Sequence, residues 1–325
     1  MNLKDTIRID FNKNTKPVYY FRAVFKLLTP TYFYKRKLPK ILNALTDANR
    51  SYIEQRVSYY NKLTDPYQIT SEFISSQNFI STEKKKTYFF DLLEYLKYFS
   101  LNSKIAYLFG DITEIPKIPR LVKSRPISEN NQNAILMKLN KVRHFIFISN
   151  DIPFNKKKDL LVWRGKAHQK HRQQFLENFY THSLCDVGQI IKNSDKNPNS
   201  VKWVKEKLSL KKQLEYKFIL AIEGTDVASN LKWVLSSNSL AFMTKPKYET
   251  WFMEGTLIPN YHYILLKEDY SDLEEKILYY TTHTDEALDI IKNAHIYVEQ
   301  FKDKSREDLI SILVLNKYFH LQNKD

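Results

Sequence analysis

The stretch that most constrains the fold is residues 216–240, with the sequence YKFILAIEGTDVASNLKWVLSSNSL. The continuous apolar run at residues 218–222 predicts a strand that is covered on both faces. A glutamate and a glycine end this run, and Asp226 or Ser229 can cap the helix that follows. Three apolar residues at helical spacing give that helix one buried stripe: Leu231, Val234 and Leu235. The stretch therefore predicts a strand, a tight turn and a helix.

A strand that ends next to a helix amino terminus, with a glycine between them, is a common binding site for phosphate. Many such units bind no ligand, so this one leaves both possibilities open. The chain has only 5 glycines in 325 residues, and three of them, Gly110, Gly165 and Gly224, closely follow apolar strand-like runs. Ligands of open α/β sheets bind at the carboxyl ends of strands, although glycine is also common in ordinary turns. The glycines indicate a site assembled from several strand ends.

Strand and helix patterns alternate through the second half of the chain. The predicted strands are residues 160–163, 218–222, 240–243 and 263–266. The predicted helices cover residues 168–180, the stretch from about 230 and residues 248–253. A further helix is predicted to begin at Ser271, which forms a capping box with Glu274. Such alternation predicts an α/β fold with a parallel sheet between helices.

The first half contains a predicted helix that Thr82 caps and predicted strands at residues 105–109 and 142–149. The strand at 105–109 ends in Gly110 and Asp111, and a proline-rich stretch follows it. The polar residues 150–158 are interpreted as the connection between two halves.

Charge is the strongest compositional signal, since 51 Lys and Arg against 36 Asp and Glu give a formal net charge of +15. Such a protein attracts polyanions, a class that includes nucleic acid, anionic lipid and phosphorylated substrates. No apolar run approaches the roughly 20 residues of a membrane-spanning helix, and no secretory signal begins the sequence. The single cysteine, Cys185, excludes an internal disulfide and suits a reducing cytoplasm. We expect it to be a small core residue.

Residues 11–46 carry eight basic residues, eight aromatic residues and no acid. This composition is typical of a segment that lies in the interface of an anionic membrane. A basic helix that packs on the body of the protein explains the segment equally well. Nucleic acid is a weaker alternative, because no known nucleic-acid motif accompanies the segment.

The sequence contains no zinc-ligand spacing, no Walker phosphate loop and no Asp-x-Asp motif. The remaining candidates are basic residues and one carboxylate. Arg164 and Arg172 could each bind a diphosphate through two hydrogen bonds, and Asp111 stands at a strand end. A solvated surface charge is the alternative for each.

Four stretches follow one another along the chain: NQNAILMKLNKVRHF at residues 131–145, LVWRGKAHQKHRQQF at residues 161–175, the stretch 216–242, and WFMEGTLIPNYHYILLKEDYSDLEEKI at residues 251–277. Together, and in this order, they resemble glycosyltransferase family 90. The resemblance covers about two thirds of the chain, and its bacterial branch of lipopolysaccharide core enzymes is the most similar. It implies two Rossmann-type domains in a GT-B-like arrangement that face a donor and acceptor cleft, a UDP-sugar donor, an inverting mechanism, and no metal or other cofactor.

The resemblance also implies roles for particular residues. It assigns Asp111 as the catalytic base. It assigns donor binding to a set of residues near two strand ends: Arg164, Gly165, Arg172, Glu223, Gly224, Asp226, Ala228, Ser229, Asn230 and Lys232. The family commonly has an arginine where this chain has Asn230, so we expect Lys232 or the helix amino terminus to contribute more of the diphosphate contact.

We therefore expect four consecutive segments. Residues 1–46 form the basic aromatic segment, 47–155 an acceptor-side domain, 156–300 a nucleotide-sugar-binding domain, and 301–325 a C-terminal helix. The predicted function is transfer of a hexose from a UDP-sugar to a hydroxyl of a lipid-linked lipopolysaccharide core glycan. The predicted location is the cytoplasm, with peripheral attachment to the inner membrane left open. The alternative is a basic protein that binds phosphoglycans or nucleic acid without catalysis.

Overall fold

A computed structural model describes residues 8–10, 16–190 and 202–323. These residues form two compact units. The sheet unit consists of residues 8–10, 145–190, 202–246 and 256–299. The helix-rich unit consists of residues 16–144, 247–255 and 300–323. Each unit is therefore built from separate stretches of the chain.

This division differs from four consecutive segments. Residues 145–155 belong to the sheet unit, although the sequence analysis assigns them to the acceptor-side domain. Residues 247–255 belong to the helix-rich unit, as do residues 16–46 and 300–323. The chain thus returns twice to the helix-rich unit, and the local sequence pattern does not indicate these returns.

The strands, in chain order, are β1 (Arg8–Asp10), β2 (Ile74–Ser75), β3 (Lys104–Ile105), β4 (Tyr107–Leu108), β5 (Arg120–Val122), β6 (Ser124–Pro126), β7 (Ala134–Leu136), β8 (Phe147–Asn150), β9 (Lys158–Gly165), β10 (Cys185–Gln189), β11 (Tyr216–Leu220), β12 (Leu240–Met243), β13 (Tyr248–Thr250) and β14 (Ile264–Leu265). The helices are α1 (Lys16–Leu28), α2 (Thr31–Leu42), α3 (Asp47–Tyr60), α4 (Ser76–Thr82), α5 (Thr87–Leu96), α6 (Lys141–His144), α7 (Lys170–Phe179), α8 (Leu210–Gln213), α9 (Leu231–Leu235), α10 (Leu273–Thr282), α11 (Thr284–Glu299) and α12 (Lys304–His320). In the described parts of the chain, no helix is both long enough and apolar enough to cross a membrane.

A parallel sheet organises the sheet unit. Its strand order is β10-β9-β11-β12-β14, and each neighbouring pair is parallel. All five residues of β11 are buried, which means that both faces of this central strand are covered. The α/β prediction is confirmed, and β9, β11, β12 and β14 lie where the apolar runs predict strands.

Strand β10 is absent from the sequence prediction, because the run CDVGQ contains only two apolar residues beside a glycine. It becomes a strand through its pairing with β9, in which Cys185 lies opposite Leu161. Cys185 is buried in the core, as expected, and burial raises the pKa of its thiol to about 12.

Three predicted helix starts are wrong. Helix α5 begins after Lys86, and Thr82 instead ends α4. Asp272 precedes α10 in place of Ser271, and its Oδ1 accepts a hydrogen bond from the Lys267 amide at 3.0 Å. Helix α9 begins after Asn230 without a side-chain cap. The Thr82 hydroxyl donates to the Asn78 carbonyl at 2.7 Å inside α4, and Asp272 bonds to the loop before α10; such local bonds compete with capping.

Other predicted elements change type. The predicted strand at 142–149 is the short helix α6 followed by β8, and the predicted strand at 105–109 is divided into β3 and β4. The predicted helix at 248–253 is also wrong, since its first residues form β13, which pairs antiparallel with β6. The aromatic residues of that stretch are buried by tertiary contacts, so their spacing carries no helical signal.

The buried side chain of Arg125 joins several elements of the helix-rich unit. Its Nε donates to Glu249 Oε1 at 2.7 Å, which links β6 to β13. Its Nη1 donates to the Ala134 carbonyl at 3.0 Å, and its Nη2 donates to the Tyr59 carbonyl at 2.7 Å. Arg125 is fully buried and Glu249 is 2% exposed. A guanidinium suits this position because its donors spread in a plane and reach several acceptors at once.

We expect Glu249→Gln to lower the free energy of unfolding by about 3–5 kcal/mol, because it leaves the buried guanidinium of Arg125 without its counter-charge. Urea unfolding of the full-length protein, followed by far-ultraviolet circular dichroism, measures the change. The matched control is Glu54→Gln, which removes an exposed carboxylate 3.6 Å from Arg50 and should change little. Equal effects of the two substitutions would contradict the role of Glu249.

Candidate active site

Most of the predicted donor residues meet at one edge of the sheet unit. Strands β9 and β11 are parallel neighbours, with Leu161 opposite Phe218 and Val162 opposite Ile219. Their carboxyl ends therefore lie side by side, and the loops 166–169 and 221–230 leave the sheet from this edge. Ligand sites in α/β proteins commonly occupy such an edge.

Arg172, in the first turn of α7, joins these two loops. Its Nε donates to the Glu223 carbonyl at 2.7 Å and its Nη2 to the Ile222 carbonyl at 2.9 Å. Its Nη1 donates to the Lys166 carbonyl at 2.9 Å, in the loop after β9. The guanidinium carbon lies 5.4 Å from the centre of the Trp163 ring, which adds a cation–π contact. Arg172 therefore fixes both loops and places a positive charge at the edge of the sheet.

Gly224 lies directly against this guanidinium. A Cβ at this position would come within 3.3 Å of Arg172 Nη2, so a larger residue would push the loop and the arginine apart. The Gly224 amide donates to the Asp226 carbonyl at 3.0 Å, which closes a tight turn. The absence of a side chain therefore allows close packing here.

Asn230 fastens the far end of the same loop. Its Nδ2 donates to the carbonyl of Leu220, the last residue of β11, at 2.9 Å. The residue that departs from the family pattern thus has a structural role in this chain. Among the other predicted loop residues, the buried ones are Asp226, Ala228 and Lys232, and the partly exposed ones are Glu223, Gly224 and Ser229.

Arg164 occupies a different place from Arg172. Successive side chains of a strand point to opposite faces of a sheet, so Arg164 lies on the face opposite Trp163 and the guanidinium of Arg172. The side chain of Arg164 is only 5% exposed. Its guanidinium donates four hydrogen bonds, to the carbonyls of Trp163, Asp186 and Glu206 and to the carboxylate of Asp186. The structure does not bring the two predicted arginines together.

Asp186 is the centre of the cluster that holds Arg164. Its carboxylate also accepts hydrogen bonds from Lys205 Nζ at 3.0 Å and from the Tyr216 hydroxyl at 2.6 Å. Burial by itself raises the pKa of this carboxyl, but the hydrogen bonds from Tyr216, Arg164 and Lys205 outweigh it and lower the pKa to about 2. The sequence analysis missed this cluster because it missed β10, the strand on which Asp186 lies.

Asp111 belongs to the helix-rich unit. A parallel sheet with the order β4-β5-β7 brings its carboxyl ends together there, and Asp111 follows β4 after Gly110. The φ angle of Gly110 is +114°, a conformation that side-chain-bearing residues rarely adopt. Lys123 Nζ, just beyond β5, donates to Asp111 Oδ1 at 2.5 Å. Lys123 is 2% exposed, whereas the carboxylate of Asp111 is 39% exposed. A buried lysine therefore holds an accessible carboxylate.

Asp111 lines a cavity of about 450 Å³ in the helix-rich unit. The wall consists largely of the proline-rich stretch that follows Asp111, with residues 111–118, and of Glu72, Leu108 and Arg120. The cavity is thus lined by a mixture of carboxylates, a lysine, an arginine and aliphatic side chains. A cavity with this mixture of groups can accept a polar ligand such as a sugar.

Among the residues that the structure describes, no group of three or more His, Cys, Asp and Glu side chains is arranged to hold a metal ion.

Comparison with known proteins adds to this geometry. The sequence profile of glycosyl transferase family 90 matches residues 134–324. The chain is also 46% identical to the O-glucosyltransferase LpsA of Dichelobacter nodosus over 272 residues, which is 84% of this chain and 84% of that protein. The protein is therefore a glycosyltransferase. It belongs to glycosyl transferase family 90, which confirms the resemblance and favours the enzyme over the non-catalytic binding protein.

We expect Arg172→Lys to increase amide hydrogen exchange in residues 221–230, because a single ammonium cannot reach three carbonyl oxygens in two loops. Lysine keeps the positive charge, so the substitution separates geometry from charge. Hydrogen–deuterium exchange followed by mass spectrometry measures the effect. Lys170→Ala, an exposed change on the same helix, is the control and should leave exchange unaltered. Unchanged hydrogen exchange in Arg172→Lys would contradict the conclusion that Arg172 links the two loops.

Proposed function

We propose that the protein transfers a glucosyl group from a UDP-sugar to a hydroxyl of a lipid-linked glycan, with lipopolysaccharide core as the acceptor. The name O-glucosyltransferase, which the relative carries, supports glucose as the sugar and an oxygen of the acceptor as the atom that receives it. The resemblance to bacterial core enzymes supports the acceptor. The net charge of +15 supports a phosphorylated, anionic acceptor of this kind.

The observation that carries the proposal is the accessible carboxylate of Asp111 in its cavity. A general base must reach the proton that it removes, and an exposed carboxylate at the wall of a sugar-sized cavity meets this requirement. The buried Lys123 restrains the carboxylate through an ion pair with Asp111 Oδ1, and this contact does not involve Asp111 Oδ2. We propose that Asp111 is the base and that Lys123 positions it.

The proposed reaction is a single displacement. Asp111 accepts the proton of the acceptor hydroxyl while the hydroxyl oxygen attacks the anomeric carbon of the sugar. The bond between that carbon and the UDP oxygen breaks, and UDP leaves with the bonding electron pair. Attack from the face opposite to UDP inverts the anomeric configuration.

We propose that UDP binds at the edge of the sheet unit that Arg172 organises. The positive charge of Arg172 and the partly exposed turn at Glu223, Gly224 and Ser229 support a site for the anionic leaving group. The side chain of Arg164 is engaged with Asp186 on the other face of the sheet. The geometry therefore favours a positioning role for Arg164 and leaves direct donor contact to Arg172 and the loop.

We expect Asp111→Asn to reduce kcat by about 10²–10⁴-fold, because an amide cannot accept the proton of the acceptor hydroxyl. The UDP affinity, measured by calorimetry on the same preparation, should be almost unchanged, whereas the melting temperature should fall, because the buried Lys123 loses its counter-charge. Asp65→Asn makes the same chemical change at an exposed position of the same unit and serves as the control. Near-normal turnover with a lowered melting temperature would show instead that Asp111 has only a structural role.

We also expect transfer to proceed at an undiminished rate in EDTA. In the proposal, the guanidinium of Arg172 and the loop amides offset the charge of the departing UDP, which a divalent ion does in metal-dependent enzymes. The assay compares the initial rate with EDTA, after dialysis, and with added Mn²⁺ or Mg²⁺. A loss of turnover that either ion restores would contradict this part of the mechanism.

A further inference from the structure

Helix α1 presents an apolar stripe to solvent. Val18, Phe21, Phe25 and Leu28 recur at three and four residues, so they lie along one side of the helix. Phe21 is 75% exposed, Phe25 68% and Leu28 75%. Exposed large apolar residues of a soluble domain usually occur singly, whereas a contiguous exposed stripe marks an interaction surface.

The opposite side of α1 is fastened to the helix-rich unit. Tyr19 and Ala23 are buried against α5, and the Tyr19 hydroxyl donates to Asp91 Oδ1 at 2.8 Å. Lys97 Nζ donates to the carbonyls of Lys26 at 2.7 Å and Leu27 at 2.8 Å, near the end of α1. The helix therefore has one face packed on the body of the protein, which was one alternative from the sequence, and a separate apolar face that is exposed.

Helix α2 adds positive charge beside further exposed rings. Tyr32 is 64% exposed and Phe33 50% exposed. The basic side chains of this helix are all exposed: Lys35, Arg36, Lys37 and Lys40. No acidic residue occurs between residues 16 and 46. The surface formed by the exposed sides of α1 and α2, which we call the α1–α2 surface, is thus apolar, aromatic and basic.

We propose that the α1–α2 surface docks on an anionic lipid bilayer. Phe21, Phe25 and Leu28 enter the boundary between headgroups and acyl chains, and the basic residues of α2 contact lipid phosphates. Charge complementarity selects this occupant. A second copy of the chain would bring together two surfaces that carry basic residues and no acid, and a nucleic acid would leave the aliphatic part of the stripe in water. The surface is independent of the proposed transfer reaction.

Sedimentation of lipid vesicles with the full-length protein tests the proposal. We use vesicles of phosphatidylcholine with one quarter phosphatidylglycerol, and vesicles of phosphatidylcholine alone. Wild type should bind the anionic vesicles, and its affinity should fall as salt rises. Phe21→Ser/Phe25→Ser should weaken binding at least ~10-fold. Lys35→Glu/Arg36→Glu/Lys37→Glu should weaken it ~100-fold or more on anionic vesicles.

The matched control is Leu278→Ser/Ile296→Ser, which removes two exposed apolar side chains from the sheet unit, 52% and 64% exposed respectively. It should bind like wild type. Circular dichroism confirms that each variant is folded, as expected for exposed positions. Equal binding of wild type and the Phe21→Ser/Phe25→Ser variant would overturn the proposal, and so would an absence of wild-type binding. Self-association of wild type that this variant abolishes, without vesicle binding, would identify a second copy as the occupant instead.

Discussion

The contact on which the sheet edge depends is that between Arg172 and three backbone carbonyl oxygens. Parallel pairing of β9 with β11 brings two strand ends together, but it does not determine the paths of the loops that follow. The guanidinium does so, because its planar donors bind Ile222, Glu223 and Lys166 at the same time. Gly224 allows this close approach, since any side chain there would crowd the arginine. Arg172 therefore determines the loop geometry and also supplies the local positive charge.

The protein uses its excess of positive charge in different ways. Some cations are neutralised inside a unit, as in the pair of Arg125 with Glu249 and the cluster around Asp186. Burial makes these pairs structural, because a buried charge that loses its partner is strongly destabilising. Others, such as Lys35 and Lys37, are exposed in a region without acids, where they remain available to an anionic surface. Net charge alone does not distinguish these classes, whereas burial does.

Lys123 and Asp111 show how one ion pair can combine both behaviours. The lysine is buried while the carboxylate reaches into a cavity, so the pair restrains the acid without closing access to it. Gly110, with its positive φ, turns the chain after β4 and aims Asp111 at this position. Gly224 also follows a strand end, in the sheet unit, but its contribution there is the close approach of Arg172 and not a positive φ.

The continuous apolar strands, such as β11 and β12, and therefore the α/β class, could be predicted from the sequence alone. A strand that is buried on both faces consists mostly of apolar residues, and the order of the motifs identified the family. The partners of individual side chains, in contrast, depend on the three-dimensional structure. Arg164 and Arg172 look equivalent in the sequence, yet Arg164 extends from β9 to the cluster around Asp186, whereas Arg172 reaches from α7 to loop carbonyls beside Trp163. Likewise, β10 and β13 exist because of their pairing with distant strands, and the stripe on α1 is exposed because another face of the same helix packs. Such choices depend on contacts between residues far apart in the chain, and no local pattern encodes them.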